Sequence, residues 1–177
     1  MKHPRFHAGL RGALAAFLLV APVCAATQAE DAARQAAALF VASCVRFTGN
    51  EAGLRAWATD TKIPELPAPG QEGFLKGALG KVFDASNPAG SFVIVSRDDG
   101  GCSVLARAVE STVLLDAVEA ALRAASFGVF LAGQWDDAVD EKIRHRTYEV
   151  SFGARKWTVV VSQGQGVGQA MLTASAR

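Results

Sequence analysis

Apolar and polar positions alternate with a period of two through Ser91–Val109, SFVIVSRDDGGCSVLARAV. A run of β-forming residues enters a polar Asp98-Asp99-Gly100-Gly101 turn and leaves in a second alternating run, which is the pattern of a β-hairpin. Phe92, Ile94 and Ser96 fall on one face and Val93, Val95 and Arg97 on the other. On the return, Cys102, Val104, Ala106 and Ala108 share one face, and Ser103, Leu105 and Arg107 share the other.

Upstream of the hairpin the period becomes helical. Ala36, Leu39, Phe40, Ser43, Cys44 and Phe47 lie on one face of a helix predicted over Thr27–Phe47, which Thr48-Gly49 ends. Asn50 is placed to cap a second, short helix through Trp57, with Leu54 and Trp57 inward. Three prolines between Ile63 and Gly70 predict an extended connector rather than a helix or a central strand. Phe74 and Leu75 fit one helical turn, Gly80–Ala85 a strand, and Asn87-Pro88-Ala89-Gly90 a turn. After the hairpin, Ser111 is expected to cap a helix through Ala125, with Leu114, Leu115, Val118, Ala121, Leu122 and Ala125 as its apolar stripe.

The last third reads as a meander. Strands are expected over Gly128–Trp135, Lys142–Phe152, Arg155–Ser162 and Gln169–Ser175, joined by an acidic loop, a Gly153-Ala154 turn and a glycine-rich turn at Gln163–Gly168. The order α-(α)-βββ-α-ββββ hints at a duplicated αβ unit. It predicts an α+β domain: a mostly antiparallel sheet of six to seven strands packed on two or three helices.

The first residues change the picture by setting the compartment. Lys2, Arg5 and Arg11 precede an apolar Ala13–Val20, and Val23-Cys24-Ala25 offers small residues around a cleavage site. Residues 1–25 are read as a signal peptide cut after Ala25, or next best after Ala26, leaving 26–177 as a single domain. A membrane span needs about 20 apolar residues, and neither this stretch nor any later one supplies them. Ala21-Pro22-Val23 is a poor lipobox, so acylation of Cys24 is not expected. The signal carries three of the 18 basic residues and none of the 17 acidic ones, which leaves the mature chain at a net −2. With no basic run left, a nucleic-acid partner has no electrostatic basis.

Export also decides the chemistry of the cysteines. Cys44 and Cys102 remain after cleavage, and an isolated pair in an oxidising compartment is most simply a disulfide. Three local features resemble small exported proteobacterial proteins of unknown function. These are Cys44-x-x-Phe47, Gly101-Cys102-x-Val104-x-Ala106 and Gln169-Ala170-x-Leu172-Thr173-x-Ser175. The resemblance implies a signal peptide, a Cys44–Cys102 pairing and no assigned activity.

Candidate chemistry is sparse. His145 is the only histidine of the mature chain, so a Ser-His-acid triad has to use it, yet neither Gly-x-Ser-x-Gly nor Ser-x-x-Lys is present. Flanked by Arg144 and Arg146, it reads as an exposed strand residue. Asp136, Asp137, Asp140 and Glu141 lack the spacing of a calcium loop, and Gly164-x-Gly166-x-Gly168 lacks that of a dinucleotide site. No cofactor, metal site or catalytic set is therefore assigned. Trp135, Tyr148 and Trp157 fall on adjacent strands and form the candidate binding surface if they share the solvent face. The expected function is an exported, non-enzymatic domain that binds another protein or component of the envelope. The alternatives are a secreted hydrolase using His145 and a small-molecule carrier with an apolar pocket between helices and sheet. Terminal sequencing of the exported protein should return Ala26 first; an acylated Cys24 contradicts the reading of this segment.

Overall fold

In the computed structural model the described residues are 21–176, with side chains from Gln28 onward. Most of the expected signal peptide, including Lys2, Arg5 and Arg11, lies outside them, as does the side chain of Cys24. The elements are α1 (Ala21–Phe40), a π-helical turn (Val41–Val45), α2 (Glu51–Asp60), α3 (Ala68–Leu75) and β1 (Gly80–Asp84). There follow β2 (Phe92–Arg97), β3 (Cys102–Glu110), α4 (Ser111–Ala124), β4 (Gly128–Asp136), β5 (Ile143–Phe152), β6 (Arg155–Gly164) and β7 (Val167–Ala176). The seven strands form one sheet in the order β1-β2-β3-β7-β6-β5-β4, antiparallel at every junction. This is the expected α+β fold. Each half gives a meander, and the last strands of the two meanders, β3 and β7, pair with each other.

The inner face follows from the period-two pattern. Phe92, Ile94, Val104, Val109, Val159, Val161 and Leu172 are all buried there, against Leu114, Val118 and Leu122 of α4 and the alanines of α1. Ala32, Ala33, Ala36 and Ala37 are buried in α1, and their small side chains let the helix axis come close to β3 and α4 at once. The first described buried side chain is Ala29, so a cut after Ala25 removes one turn of α1 and none of its described core contacts.

Three local details depart from the pattern, each for a physical reason. The first helix does not stay α-helical to Phe47: it passes into the π turn, where the Ser43 hydroxyl donates to the Leu39 carbonyl at 2.6 Å. Ala108 does not continue the inward row of β3. It takes φ 54°, the register against β7 shifts between Ala106 and Val109, and Val109 fills the buried place instead. The cap of α4 is Glu110 rather than Ser111, its carboxylate accepting from the Val113 N–H at 2.8 Å and the Thr112 hydroxyl at 2.6 Å. The other cap holds: Asn50 Oδ1 accepts from the Gly53 N–H at 3.0 Å.

The proline-rich connector is more than a spacer. The Leu66 N–H donates to the Val82 carbonyl (2.8 Å) and the Asp84 N–H to the Pro64 carbonyl (2.9 Å), so the chain runs beside β1 and occupies its free edge. Its end is helical despite Pro69, because a first-turn proline lacks only an N–H that has no intrahelical partner anyway. The resulting α3 lies on the outer sheet face over β1 and β2. There Val82 and Val95 are buried, and Gln71 accepts from the Val82 N–H (3.2 Å) while donating to the Leu66 carbonyl (2.6 Å). Beyond β2 no helix covers this outer face among the described residues.

Cys44 and Cys102 are joined in a disulfide, with Cα atoms 5.2 Å apart and a sequence separation of 58. The bond ties the π turn to the first residue of β3. By chain-entropy reasoning a loop of that length is worth about 4 kcal/mol. Thiol labelling of unreduced protein should find no reactive cysteine in the folded domain, and Cys44→Ala with Cys102→Ala should lower the unfolding free energy by a matching amount, read as a lower denaturant midpoint. Two labelled thiols in the unreduced protein, or an unchanged midpoint, contradict this.

Candidate functional site

The structure separates the three aromatic residues expected to form a platform. Tyr148 and Trp157 are 1% and 3% exposed and face the helices. Their row on β5 and β6 is the inner one, since Tyr148 pairs with Val159 and Val150 with Trp157, all of them buried. The Tyr148 hydroxyl donates to Glu119 of α4 at 3.1 Å, and Trp157 packs edge-on against Phe127 at 5.4 Å. Both therefore drop out of the binding surface, because the large apolar area of each is part of the core. Trp135 alone stays at the surface, on the opposite face, half exposed.

On that outer face Trp135 pairs with His145, His145 with Ser162, and Ser162 with Met171 along neighbouring strands. The His145 ring stacks on Trp135 with centroids 5.4 Å apart and planes 24° apart. His145 is not the free strand residue that its flanking arginines suggest. Its Nδ1 lies 2.8 Å from Ser162 Oγ and its Nε2 3.0 Å from Asp137 Oδ2. Its side chain keeps only 16% of its exposure. The arginines are spent elsewhere: Arg144 on Asp136 at 2.9 Å and Arg146 on Gln134 at 2.7 Å.

Asp137 is held by its own loop. Its Oδ1 accepts from the N–H groups of Val139 (2.8 Å) and Asp140 (3.0 Å), which leaves Oδ2 aimed at the imidazole. The Asp140 and Val139 N–H donors, then His145, bring its carboxyl down from the ordinary 3.8 to about 2. A carboxylate only accepts, so in the neutral ring Nε2 of His145 carries the proton and Nδ1 offers its lone pair to the Ser162 hydroxyl. The result is a line of three groups with the serine hydroxyl polarised at its end.

The line opens into a groove of about 600 Å³ across the outer face, from Lys76 at the end of α3 to Asp137 in the β4–β5 loop. Leu105, Ile143 and Met171 give it apolar walls; Ser162, Gln169 and His145 give it polar groups. The acidic run thus works as a loop that presents one carboxylate. Gly164 to Gly168 form the tight β6–β7 turn, with Gly166 at φ 68°, and precede a strand rather than a helix. The Ser162 partner of His145 was within reach of the sequence. A two-residue turn at Gly153-Ala154 sets Phe152 opposite Arg155, and counting back along both strands sets His145 opposite Ser162. Asp137 needed the loop geometry.

The fold and site define an α+β domain with one sheet face packed on helices, one largely open face and a disulfide that ties the first helix to the sheet. No family model, no curated protein and no solved structure matches the chain.

The folded pKa of Asp137 lies below its unfolded value, so its ionised form stabilises the fold fully above pH about 4. That contribution fades as pH falls through 3.8 toward about 2. In urea melts the gap between wild type and Asp137→Asn should stay constant at neutral pH and close across this acid window. A gap that persists unchanged at the acid end contradicts the assignment.

Proposed function

We propose that the mature chain is an exported domain, resident in the periplasm or secreted, that binds another protein or component of the cell envelope through the outer face of its sheet. The observation that carries this reading is the asymmetry of cover. Helices cover the inner face except at its far end, where Leu131 and Phe152 stay about half exposed, whereas the outer face from β3 to β4 lacks any helix among the described residues and presents Met171 and Trp135 to solvent. Phe130 belongs to the same patch: it pairs with Glu149 on the outer row and is 67% exposed. Apolar residues grouped around a groove, rather than scattered, are the mark of a contact surface. The edge strand β4 adds to it. From Gly128 to Trp135 it carries no charge and no proline, the residues with which sheet edges are ordinarily guarded, while the β1 edge is occupied by the connector. The disulfide supports export, since such bonds persist in oxidising compartments. No described helix is long and apolar enough to cross a membrane.

Photo-crosslinking in the producing cell tests this reading. A crosslinker replacing Met171 should give a discrete adduct, and one replacing the exposed Asp116 on α4 should not. Equal yields from both positions, or none from either, contradict it.

A further inference from the structure

We propose that Asp137, His145 and Ser162 form a nucleophilic relay in which Ser162 attacks the carbonyl carbon of an aliphatic acyl ester lying in the outer-face groove. Binding of a macromolecule does not require this site, so the inference stands apart from the function proposed above.

Four observations carry it. The serine hydroxyl, the imidazole and the carboxylate lie in hydrogen-bonding sequence, at 2.8 Å and 3.0 Å. Roles and geometry, not chain order, identify such a relay. The ring presents Nδ1 to the serine and Nε2 to the acid, and either nitrogen can serve as the base. Each member is held: Ser162 by a strand paired on both sides, His145 by Trp135 stacked on its ring, and Asp137 by two backbone N–H groups. Preorganisation of this kind keeps the base on the hydroxyl without a search for geometry.

The third observation is that Ser162 lines the groove rather than the core, with space for a reactant beside it. The fourth concerns the charge that must develop. Ser162 sits within the ladders of β6, so its strand offers no spare backbone N–H for an oxyanion. Two side-chain donors line the same groove, Lys76 and Gln169, and neither has a side-chain partner among the described residues. They are the candidates to receive the negative oxygen. Leu105, Ile143 and Met171 supply the apolar wall that an aliphatic acyl chain fits.

The step balances within these groups. Ser162 Oγ forms a bond to the carbonyl carbon as its proton passes to His145 Nδ1, and the carbonyl oxygen becomes the oxyanion. The bond from carbon to the alcohol oxygen then breaks, and the departing alcohol takes the proton from Nδ1. Water attacks the acyl-serine, giving one proton to Nδ1, and the carboxylic acid leaves as that proton returns to Ser162 Oγ. Asp137 remains ionised throughout and stabilises the imidazolium.

The test uses protein purified from the oxidising compartment, an alkyl fluorophosphonate probe and peptide mass spectrometry. The expected result is an adduct on Ser162 in wild type. It should be absent in Ser162→Ala and slowed about a hundredfold in His145→Gln, the scale of general-base assistance. Hydrolysis of p-nitrophenyl octanoate should follow the same order and exceed that of the acetate ester. Circular dichroism and the intact disulfide establish that each variant is folded. No adduct on Ser162 of folded wild type, or labelling undiminished in folded His145→Gln, overturns the proposal.

Discussion

The bond between Cys44 and Cys102 fixes the one contact on which the other packing depends: the end of the first helix against the start of β3. Both cysteines are buried, so the tie runs through the core. β3 is the hinge of the sheet, pairing with β2 of the first meander and β7 of the second. Holding α1 on β3 therefore holds it on the seam between the halves, where α4 of the second half packs alongside. The alanine face of α1 gives this arrangement its closeness but little apolar area per residue, and aliphatic side chains on α4 and the inner strands supply the bulk. A covalent link at this point lowers the chain entropy of the unfolded state and so offsets the small apolar area that α1 contributes.

Committing both long helices to one face has a consequence for the other. A strand alternates its side chains, so burying Val159 and Val161 obliges Val160 and Ser162 to point outward. α3 relieves this over β1 and β2 only. Across β3, β7, β6 and β5 the outer row mixes hydroxyl, imidazole, thioether and aliphatic groups with the Gln169 amide and the Glu149 carboxylate, neither apolar enough to demand a covering layer nor charged enough to repel one. The groove is the space left between the end of α3 and the β4–β5 loop. Trp135, stacked on His145, links the exposed edge strand to the polar line, so contact surface and candidate chemistry are one continuous region.

Much of the fold was legible because its signals are local. The hairpin alternation set Phe92, Ile94 and Ser96 on one face of the first strand and Cys102, Val104, Ala106 and Ala108 on one face of the second, and all but Ala108 are buried. What stayed hidden depends on tertiary context. Ala108 breaks the alternation through a bulge that its own sequence does not announce, since alanine is not a residue that favours positive φ. Glu110 caps α4 although serine is the commoner choice, because the turn out of β3 brings its carboxylate over the first N–H groups. Tyr148 and Trp157 could be placed on adjacent strands, but strand periodicity alone does not say which row meets the helices. At the candidate site the strand pairing of His145 with Ser162 was implicit in the Gly153-Ala154 turn. Asp137 joins them only because its loop folds its carboxylate back, and that fold is written in backbone hydrogen bonds rather than in a motif.

The account rests on the proton arrangement along Asp137, His145 and Ser162, and the tautomer of His145 reports it directly. Long-range 1H–15N correlation of labelled, disulfide-intact protein at neutral pH distinguishes the two ring nitrogens. The expected result is an imidazole with its proton on Nε2 and with Nδ1 shifted as an acceptor of a hydrogen bond, and loss of that signature in Asp137→Asn. A ring protonated on Nδ1, or one averaging freely between tautomers, contradicts it.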